Sequence, residues 1–144
     1  MILAVDGGGT ATRAGLYRGG VLLAEATGGP ANPVAYGLSR TLETLGELAG
    51  RLLPKGEAPE AVFLALAGAA EPSLREALAR GTARRLGADR VVATTDLHPL
   101  LFANAGKGAG ILTIAGTGSS VLGKDAFGGI VRAGGRGGGG NAFQ

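Results

Sequence analysis

The alternation of apolar and polar residues predicts three consecutive strands at the start of the chain. Ile2 to Asp6 is apolar until its last position and indicates a buried strand, and Ala11 to Arg18 and Val21 to Thr27 are predicted as the next two. Gly19-Gly20 is typical of a tight hairpin turn between the second and third strands. Three strands joined by short turns predict an antiparallel meander.

From Val34 onward the apolar residues follow the period of a helix. They recur at spacings that place them on one helix face: Val34, Leu38, Leu42, Leu45, Leu48 and Leu52. Pro54 lies just beyond this run and is typical of a helix end. The pattern therefore predicts one continuous helix from Val34 to Leu52, after a loop that contains Asn32.

The following segments alternate between strands and helices. A continuous apolar run predicts a buried strand at Ala61 to Ala67, and a helix is predicted from Pro72 to Leu86, with Gly87 closing it. A short strand at Arg90 to Thr94 and a short helix at Leu97 to Ala105 follow. Such alternation indicates a mostly parallel sheet with an antiparallel edge.

Two strand–turn–strand units resemble each other. The first begins with Ile2 to Thr10 and the second with Ile111 to Ser119, and in each an apolar run enters a turn of glycines and hydroxylated residues. Glycines let the backbone approach a ligand closely, and the free N–H groups of such a turn can bind an anion. Two matching turns suggest a phosphate held from both sides.

Composition narrows the classes of function. The 144 residues are 45% hydrophobic, enough for a globular core, and the formal charge of +3 comes without a basic stripe, which argues against nucleic acid. The absence of cysteine excludes disulfides and thiolate metal sites. Asp6 interrupts the first apolar run too early for a signal peptide, and the longest uncharged apolar stretch, Ala61 to Ala70, is too short for a bilayer. We expect a soluble cytoplasmic protein with no membrane partner.

Five short stretches carry a resemblance to a known family. They are Asp6 to Thr10, Asn32, Thr95-Asp96, Ile114 to Ser119 and Gly134 to Gly137. Together they resemble the sugar kinase, heat-shock-70 and actin superfamily, and within it the N-acetylglucosamine kinase-type sugar kinases, sometimes grouped with dehydratase-activating ATPases. The resemblance covers nearly the whole chain but only about half of a typical family member.

The resemblance implies an α/β fold of the ribonuclease H-like, actin-like ATPase type. Residues 1–106 would form an N-terminal actin-like ATPase domain, with a five-stranded mixed sheet and helices on both faces. Residues 107–144 would form the first strands of a second, similar domain that is truncated and ends in a glycine-rich run.

Asp6 and the glycine turn after it form the predicted ATP site. Phosphates repel a carboxylate unless a divalent cation lies between them, so Asp6 is predicted to hold Mg²⁺ through water, as the family's metal-associated Asp does. The alternative is an aspartate that only caps a turn. Thr12 and Arg13 could help, or could equally be outward-facing strand residues. The ATP-binding residues that the resemblance implies are Asp6, Gly7, Gly8, Gly9, Thr10, Thr12, Gly116, Thr117, Gly118 and Ser119.

Asp96 is the predicted catalytic base. A sugar hydroxyl that attacks a γ-phosphoryl group must lose its proton, and a nearby carboxylate accepts it. The resemblance places this base at Asp96, for which helix N-capping is the alternative. Asn32 either binds sugar hydroxyls or serves local hydrogen bonding in its loop. The implied sugar-binding residues are Asn32, Asp96, Gly118 and Gly135.

The end of the chain departs from the family pattern. Family members continue after Gly-Gly-X-Gly with a segment like Pro-Leu-Leu-Gly-Asp-Glu-Gly-Ser, whose Asp takes part in the sugar site, whereas here Gly137 to Gly140 leads into Asn141 to Gln144. Ala65 and Ala67 stand where the family can carry Ser. The chain is interpreted as a fragment, an engineered half or a module that pairs, and its unpaired strands favour a homodimer through sheet edges.

We expect an ATP-dependent sugar kinase that uses ATP and Mg²⁺ and acts on an amino sugar, N-acetylglucosamine, although this short chain could be inactive alone. One alternative is an activator-type ATPase, which the lack of cysteine disfavours because such activators hold a cysteine-bound cluster. Another is a non-catalytic half-domain that binds sugar or nucleotide and assembles with another chain.

Overall fold

The computed structural model describes residues 1–115 and 119–134. The chain divides into two compact units, Met1–Asp96 and Leu97–Gln144. Among the described residues, no helix combines the length and the apolar composition needed to cross a membrane.

The first unit is built on a five-stranded mixed sheet. Its elements are β1 (Ile2–Gly7), β2 (Thr12–Arg18), β3 (Val21–Gly28), α1 (Pro33–Tyr36), α2 (Leu38–Leu52), β4 (Ala61–Leu66), α3 (Pro72–Leu86) and β5 (Arg90–Thr94). The strand order is β3-β2-β1-β4-β5, in which β1, β2 and β3 form an antiparallel meander while β4 and β5 run parallel to β1. This arrangement confirms the predicted fold class.

One face of this sheet carries the core. Alternate residues of β1, Leu3 and Val5, are buried and lie in register beside Val62 and Leu64 of β4. Helices α2 and α3 pack on this face and against each other. Their most deeply buried apolar residues are Leu45, Leu48, Ala49 and Leu78.

The opposite face of the sheet has no helix of this unit packed on it, among the residues described in Met1–Asp96. Ile2, Phe63 and Val92 line a cavity of about 260 Å³ there, and Ile2 and Val92 stay about half exposed. Helices were expected on both faces; in this unit α2 and α3 share one face, because both bury their apolar residues in the same core.

The predicted helix from Val34 to Leu52 is two helices. Gly37 separates them with φ 81° and ψ 160°, a conformation that residues with a side chain rarely adopt. Val34, predicted to face the core, is 72% exposed, whereas the apolar face of α2 is buried as predicted. The break leaves α1 as a short separate segment, and this segment contacts the candidate site.

The second unit consists of one helix and a three-stranded antiparallel sheet. Its elements are α4 (Leu97–Ala105), β6 (Gly110–Ala115), β7 (Ser119–Lys124) and β8 (Ile130–Gly134). Leu97 and Leu101 of α4 pack with Leu122 of β7. The sequence assigns α4 to the first domain, which was expected to end at residue 106; the structure groups α4 with the second unit because its apolar side is buried against this sheet.

Candidate active site

The carboxyl ends of β1, β4 and β5 meet at one edge of the first sheet. Asp6 of β1 lies in register with Ala65 of β4, which lies in register with Thr94 of β5. Adjacent strands are about 4.8 Å apart, so the backbones of β1 and β5 are separated by about 10 Å. Asp96 follows β5 by two residues. The edge thus carries both the predicted metal ligand and the predicted base.

The glycine turn after β1 presents free backbone N–H groups. The N–H of Gly8 donates to the carbonyl of Ala11 at 3.0 Å and closes the turn. In the described part of the chain, the N–H groups of Gly9 and Thr10 have no hydrogen-bond partner, and both residues are exposed. Neighbouring N–H groups in such a turn form an anion-binding nest.

Two glycines of this turn have opposite surroundings. A Cβ atom on Gly7 would lie 2.5 Å from Cδ2 of Leu66 and 3.1 Å from Cβ of Ala31, so a side chain does not fit there. A Cβ atom on Gly9 would meet no atom of the described residues within 4 Å. Gly7 is therefore required for packing, whereas Gly9 leaves open space in front of the free N–H groups.

Asp6 is exposed, and its carboxylate makes no hydrogen bond or ion pair with any residue that the structure describes. The alternative of an aspartate that caps the turn is therefore not what this conformation shows. No group of three or more His, Cys, Asp and Glu residues able to hold a metal occurs among the described residues. A single carboxylate fits Mg²⁺ all the same, since this ion binds proteins through one or two carboxylates and completes its shell with waters and phosphate oxygens.

The side chain of Thr12 is buried. Its register partner on β1 is Gly7, which puts it on the core face of the sheet, and it is only 1% exposed. Its Oγ1 is buried and has no hydrogen-bond partner in the described residues. ATP binding by Thr12 stays a prediction. Arg13, the partner of Asp6 in the ladder, is exposed.

Asp96 is partly buried and stands immediately before α4. Within the described residues its carboxylate accepts no hydrogen bond, so the N-capping alternative is not seen in this conformation. A carboxylate that is free of structural partners is available to accept a proton, and its catalytic role stays a prediction.

Asn32 serves the local role that was the alternative to sugar binding. It is the N-cap of α1, and its Oδ1 accepts hydrogen bonds from the N–H groups of Val34 at 3.0 Å and Ala35 at 3.1 Å. Gly68 packs so closely on this side chain that a Cβ atom there would lie 2.3 Å from Oδ1. The Nδ2 amide of Asn32 has no partner in the described residues and keeps its two donors.

The second predicted phosphate turn lies mostly outside the described residues. Gly116, Thr117, Gly118 and Gly135 are not among them, and for Ser119 only its place at the start of β7 is described. Their predicted contacts with ATP and sugar remain predictions.

Two contacts of the glycine turn were missed from the sequence. The N–H of Ala31 donates to the carbonyl of Gly8 at 3.1 Å, and the Tyr36 hydroxyl donates to the carbonyl of Gly9 at 2.8 Å. Tyr36 was read only as part of the predicted helix, and no periodic pattern marks a contact across 27 residues of sequence. A hydroxylated aromatic residue just before a helix-breaking glycine was the only available signal.

The fold is similar to solved structures along nearly the whole chain. "Putative N-acetylglucosamine Kinase from Chromobacterium violaceum" matches with a TM-score of 0.69 and 28% identity, covering 94% of this chain and 49% of that one. The "Putative N-acetylglucosamine Kinase" from Porphyromonas gingivalis matches with a TM-score of 0.67 and 26% identity, covering 91% of this chain and 46% of that one. The fold is shared by a "putative 2-dehydro-3-deoxygalactonokinase protein" from Sinorhizobium meliloti. This match has a TM-score of 0.51 and 18% identity, and it covers 92% of this chain and 54% of that one. No curated protein matches the chain.

The five-stranded mixed sheet followed by the start of a second sheet is the N-terminal portion of the fold shared by actin-like ATPases and sugar kinases. Within this class, the profile of the BadF/BadG/BcrA/BcrD ATPase family matches residues 3–139, and the chain belongs to that family. The chain spans about half the length of the first two solved structures that it matches.

Proposed function

We propose that the protein is an ATP-dependent kinase that transfers the γ-phosphoryl group of ATP to a hydroxyl of an amino sugar, with N-acetylglucosamine as the first candidate. The observation that carries this proposal is the edge of the first sheet, where an exposed carboxylate, a turn with free N–H groups and a second unpartnered carboxylate occur together. The family, and the kinase names of the Chromobacterium and Porphyromonas structures, support it.

Each residue of the candidate site would have a separate role in phosphoryl transfer. The N–H groups of Gly9 and Thr10 would bind phosphate oxygens, and Asp6 would orient a hydrated Mg²⁺ ion. When bound, Mg²⁺ supplies positive charge that offsets the phosphate oxygens. Asp96 would accept the proton of the attacking sugar hydroxyl, a role that contributes about 10²–10⁴-fold to rate. Asn32 would donate its Nδ2 hydrogens to the sugar.

Two other functions fit parts of the observations. The family is one of ATPases, which favours an ATPase that acts on a partner protein, although this sequence has no cysteine to hold a cluster. The outer strands β6 and β8 of the second sheet have no further strand beside them among the described residues, which favours a half-domain that pairs with a second chain, such as another copy of itself. An activity per molecule that rises with protein concentration would support the second of these.

The deciding experiment measures ADP release with Mg-ATP and a panel of N-acetylglucosamine, N-acetylmannosamine and glucose. Asp96→Asn is compared with Asp89→Asn, a matched control at an exposed aspartate just before β5. We expect sugar-dependent release that falls about 10²–10⁴-fold in Asp96→Asn and is unchanged in Asp89→Asn. Release without sugar would favour the ATPase, and wild-type rates in Asp96→Asn would overturn the assignment of the base.

A further inference from the structure

Residues 31–36, here called the strap, hold the glycine turn through hydrogen bonds to its carbonyls. Three successive carbonyls of the turn accept hydrogen bonds from elsewhere in the unit: Gly7 from the N–H of Ala67 at 2.8 Å, Gly8 from the N–H of Ala31 at 3.1 Å, and Gly9 from the hydroxyl of Tyr36 at 2.8 Å. The strap supplies the last two of these donors.

These two hydrogen bonds fix the orientation of the free N–H groups. A peptide unit is planar and trans, so the C=O of one residue and the N–H of the next point in opposite directions within one rigid plane. Holding the carbonyl of Gly8 therefore orients the N–H of Gly9, and holding the carbonyl of Gly9 orients the N–H of Thr10. The N–H groups of Gly9 and Thr10, which have no partner in the described residues, thus belong to the two peptide planes that the strap holds.

The strap is itself firmly anchored. Asn32 caps α1 through two hydrogen bonds, and the N–H of Tyr36 donates to the carbonyl of Asn32 at 3.0 Å. The close packing of Gly68 on Asn32 ties the strap to the loop after β4. The Tyr36 hydroxyl is thus presented from a fixed backbone, although the residue is 46% exposed.

We propose that Tyr36 is a positioning residue of the phosphate site: its hydroxyl holds the Gly9 carbonyl so that the N–H of Thr10 faces the bound phosphate. Tyr36 does not touch the phosphate and takes no part in the proton transfer. The identity of the anion as the phosphates of ATP rests on the proposed function, whereas the orientation of the Thr10 peptide does not.

The test compares Tyr36→Phe with Tyr17→Phe. The first variant removes only the hydroxyl that donates to Gly9, and the second removes the hydroxyl of the other tyrosine, which donates to no residue that the structure describes. We expect Tyr36→Phe to raise the Kd for Mg-ATP about three- to tenfold, the loss of one neutral hydrogen bond, and to raise the Kd for inorganic tripolyphosphate by the same factor. Tyr17→Phe should change neither, and both variants should melt at nearly the same temperature.

A second measurement needs no nucleotide. The ¹⁵N order parameter of the Thr10 amide in the ligand-free protein should fall in Tyr36→Phe and stay at the wild-type value in Tyr17→Phe. Equal Kd values in the two variants, with the wild type binding Mg-ATP, would overturn the positioning role and leave the proposed function standing. A wild type that binds no Mg-ATP would instead overturn the proposed function, and an unchanged Thr10 order parameter would then overturn the positioning role as well.

Discussion

The two ends of the same parallel strands use their charged residues in opposite ways. At the amino ends of β1, β4 and β5, the N-terminal amine of Met1 forms an ion pair with Glu60, and the backbone links Glu60 to Met1 and Arg90. At the carboxyl ends, Asp6 and Asp96 have no partner in the described residues. The carboxylate at the amino ends is thus paired with a cation, whereas the two carboxylates at the carboxyl ends are unpaired among the described residues.

The difference indicates which carboxylates of the first unit stabilise the fold and which are available for function. Glu60, whose carboxylate stabilises the fold, is paired with a cation, and its pKa is lowered as a result. The pKa of Glu60 lies below its ordinary value because the N-terminal amine donates a hydrogen bond to it and carries a positive charge. Arg90 and Arg18 make smaller contributions. Carboxylates that are left unpaired beside free N–H groups are available to a metal or a substrate. Substitutions at the two ends should therefore change different properties.

The largest difference is expected between Asp6→Asn and Glu60→Gln. Asp6→Asn should weaken Mg-ATP binding about 10- to 100-fold, since the Mg²⁺ ion loses its protein carboxylate, while stability to urea changes by no more than about 0.5 kcal/mol. Without Mg²⁺ the same variant should bind ATP at least as well as the wild type, because a repelling charge is gone. Glu60→Gln should leave Mg-ATP binding unchanged, and calorimetric titration of both variants tests this. If both variants lost the same affinity for Mg-ATP, the two ends of the strands would not differ in function.

The open space at Gly9 gives a sharper test at the carboxyl end. Gly9→Ala places a methyl group where no described atom lies within 4 Å and where φ is not in the left-handed region, so the fold should be unaffected. If phosphates approach this backbone, the methyl group should weaken Mg-ATP binding about tenfold by blocking the N–H groups. Gly29→Ala is the matched control, since Gly29 is equally open and lies in an exposed loop. Identical affinities in the two variants would place the phosphates elsewhere.

Asn32 combines a structural and a predicted ligand role, and two substitutions separate them. Asn32→Ala removes the cap of α1 and should cost about 1 kcal/mol of stability. Asn32→Asp keeps an oxygen that caps equally well but loses the Nδ2 donors, so stability should be retained while affinity for N-acetylglucosamine falls about three- to tenfold. Thermal melts and sugar titrations measure the two effects. Full sugar affinity in Asn32→Asp would show that Asn32 serves the fold alone.

Periodic segments were predictable from the sequence because burial imposes the period directly. The β5 strand at Arg90–Thr94 and the helix Pro72–Leu86 have the predicted bounds. Gly87 ends that helix as expected, and the structure shows it in the left-handed conformation. The break at Gly37 was missed because a glycine inside a helical pattern is often tolerated, and only the backbone angles show that this one is not.

The candidate site was predictable where it depends on strand order and not where it depends on register or distant contacts. Asp6 and Asp96 reach one edge because their strands are parallel neighbours of β4. The burial of Thr12 was not predicted, since a shift of one residue in register moves a side chain from one face to the other and the sequence does not fix the register. The contact of Tyr36 with Gly9 joins segments that have no shared pattern.

The smallest expected effect concerns the amino end and appears only on acidification. Because the folded state lowers the pKa of Glu60 below its ordinary value of 4.5, the ion pair with Met1 stabilises the fold fully above that pH, and this contribution is lost as the pH falls through the lowered pKa. Glu60→Gln should therefore be slightly less stable than the wild type at pH 7 and equal to it in sufficiently acidic solution. Glu57→Gln, at an exposed glutamate that forms no ion pair with any described residue, should be as stable as the wild type both at pH 7 and in acidic solution. Urea unfolding midpoints, measured from pH 7 down to acidic pH, test this prediction. If Glu60→Gln were still less stable than the wild type at low pH, Glu60 would stabilise the fold through packing and not through its charge. The amino and carboxyl ends of the strands would then no longer differ in how they use their charged residues.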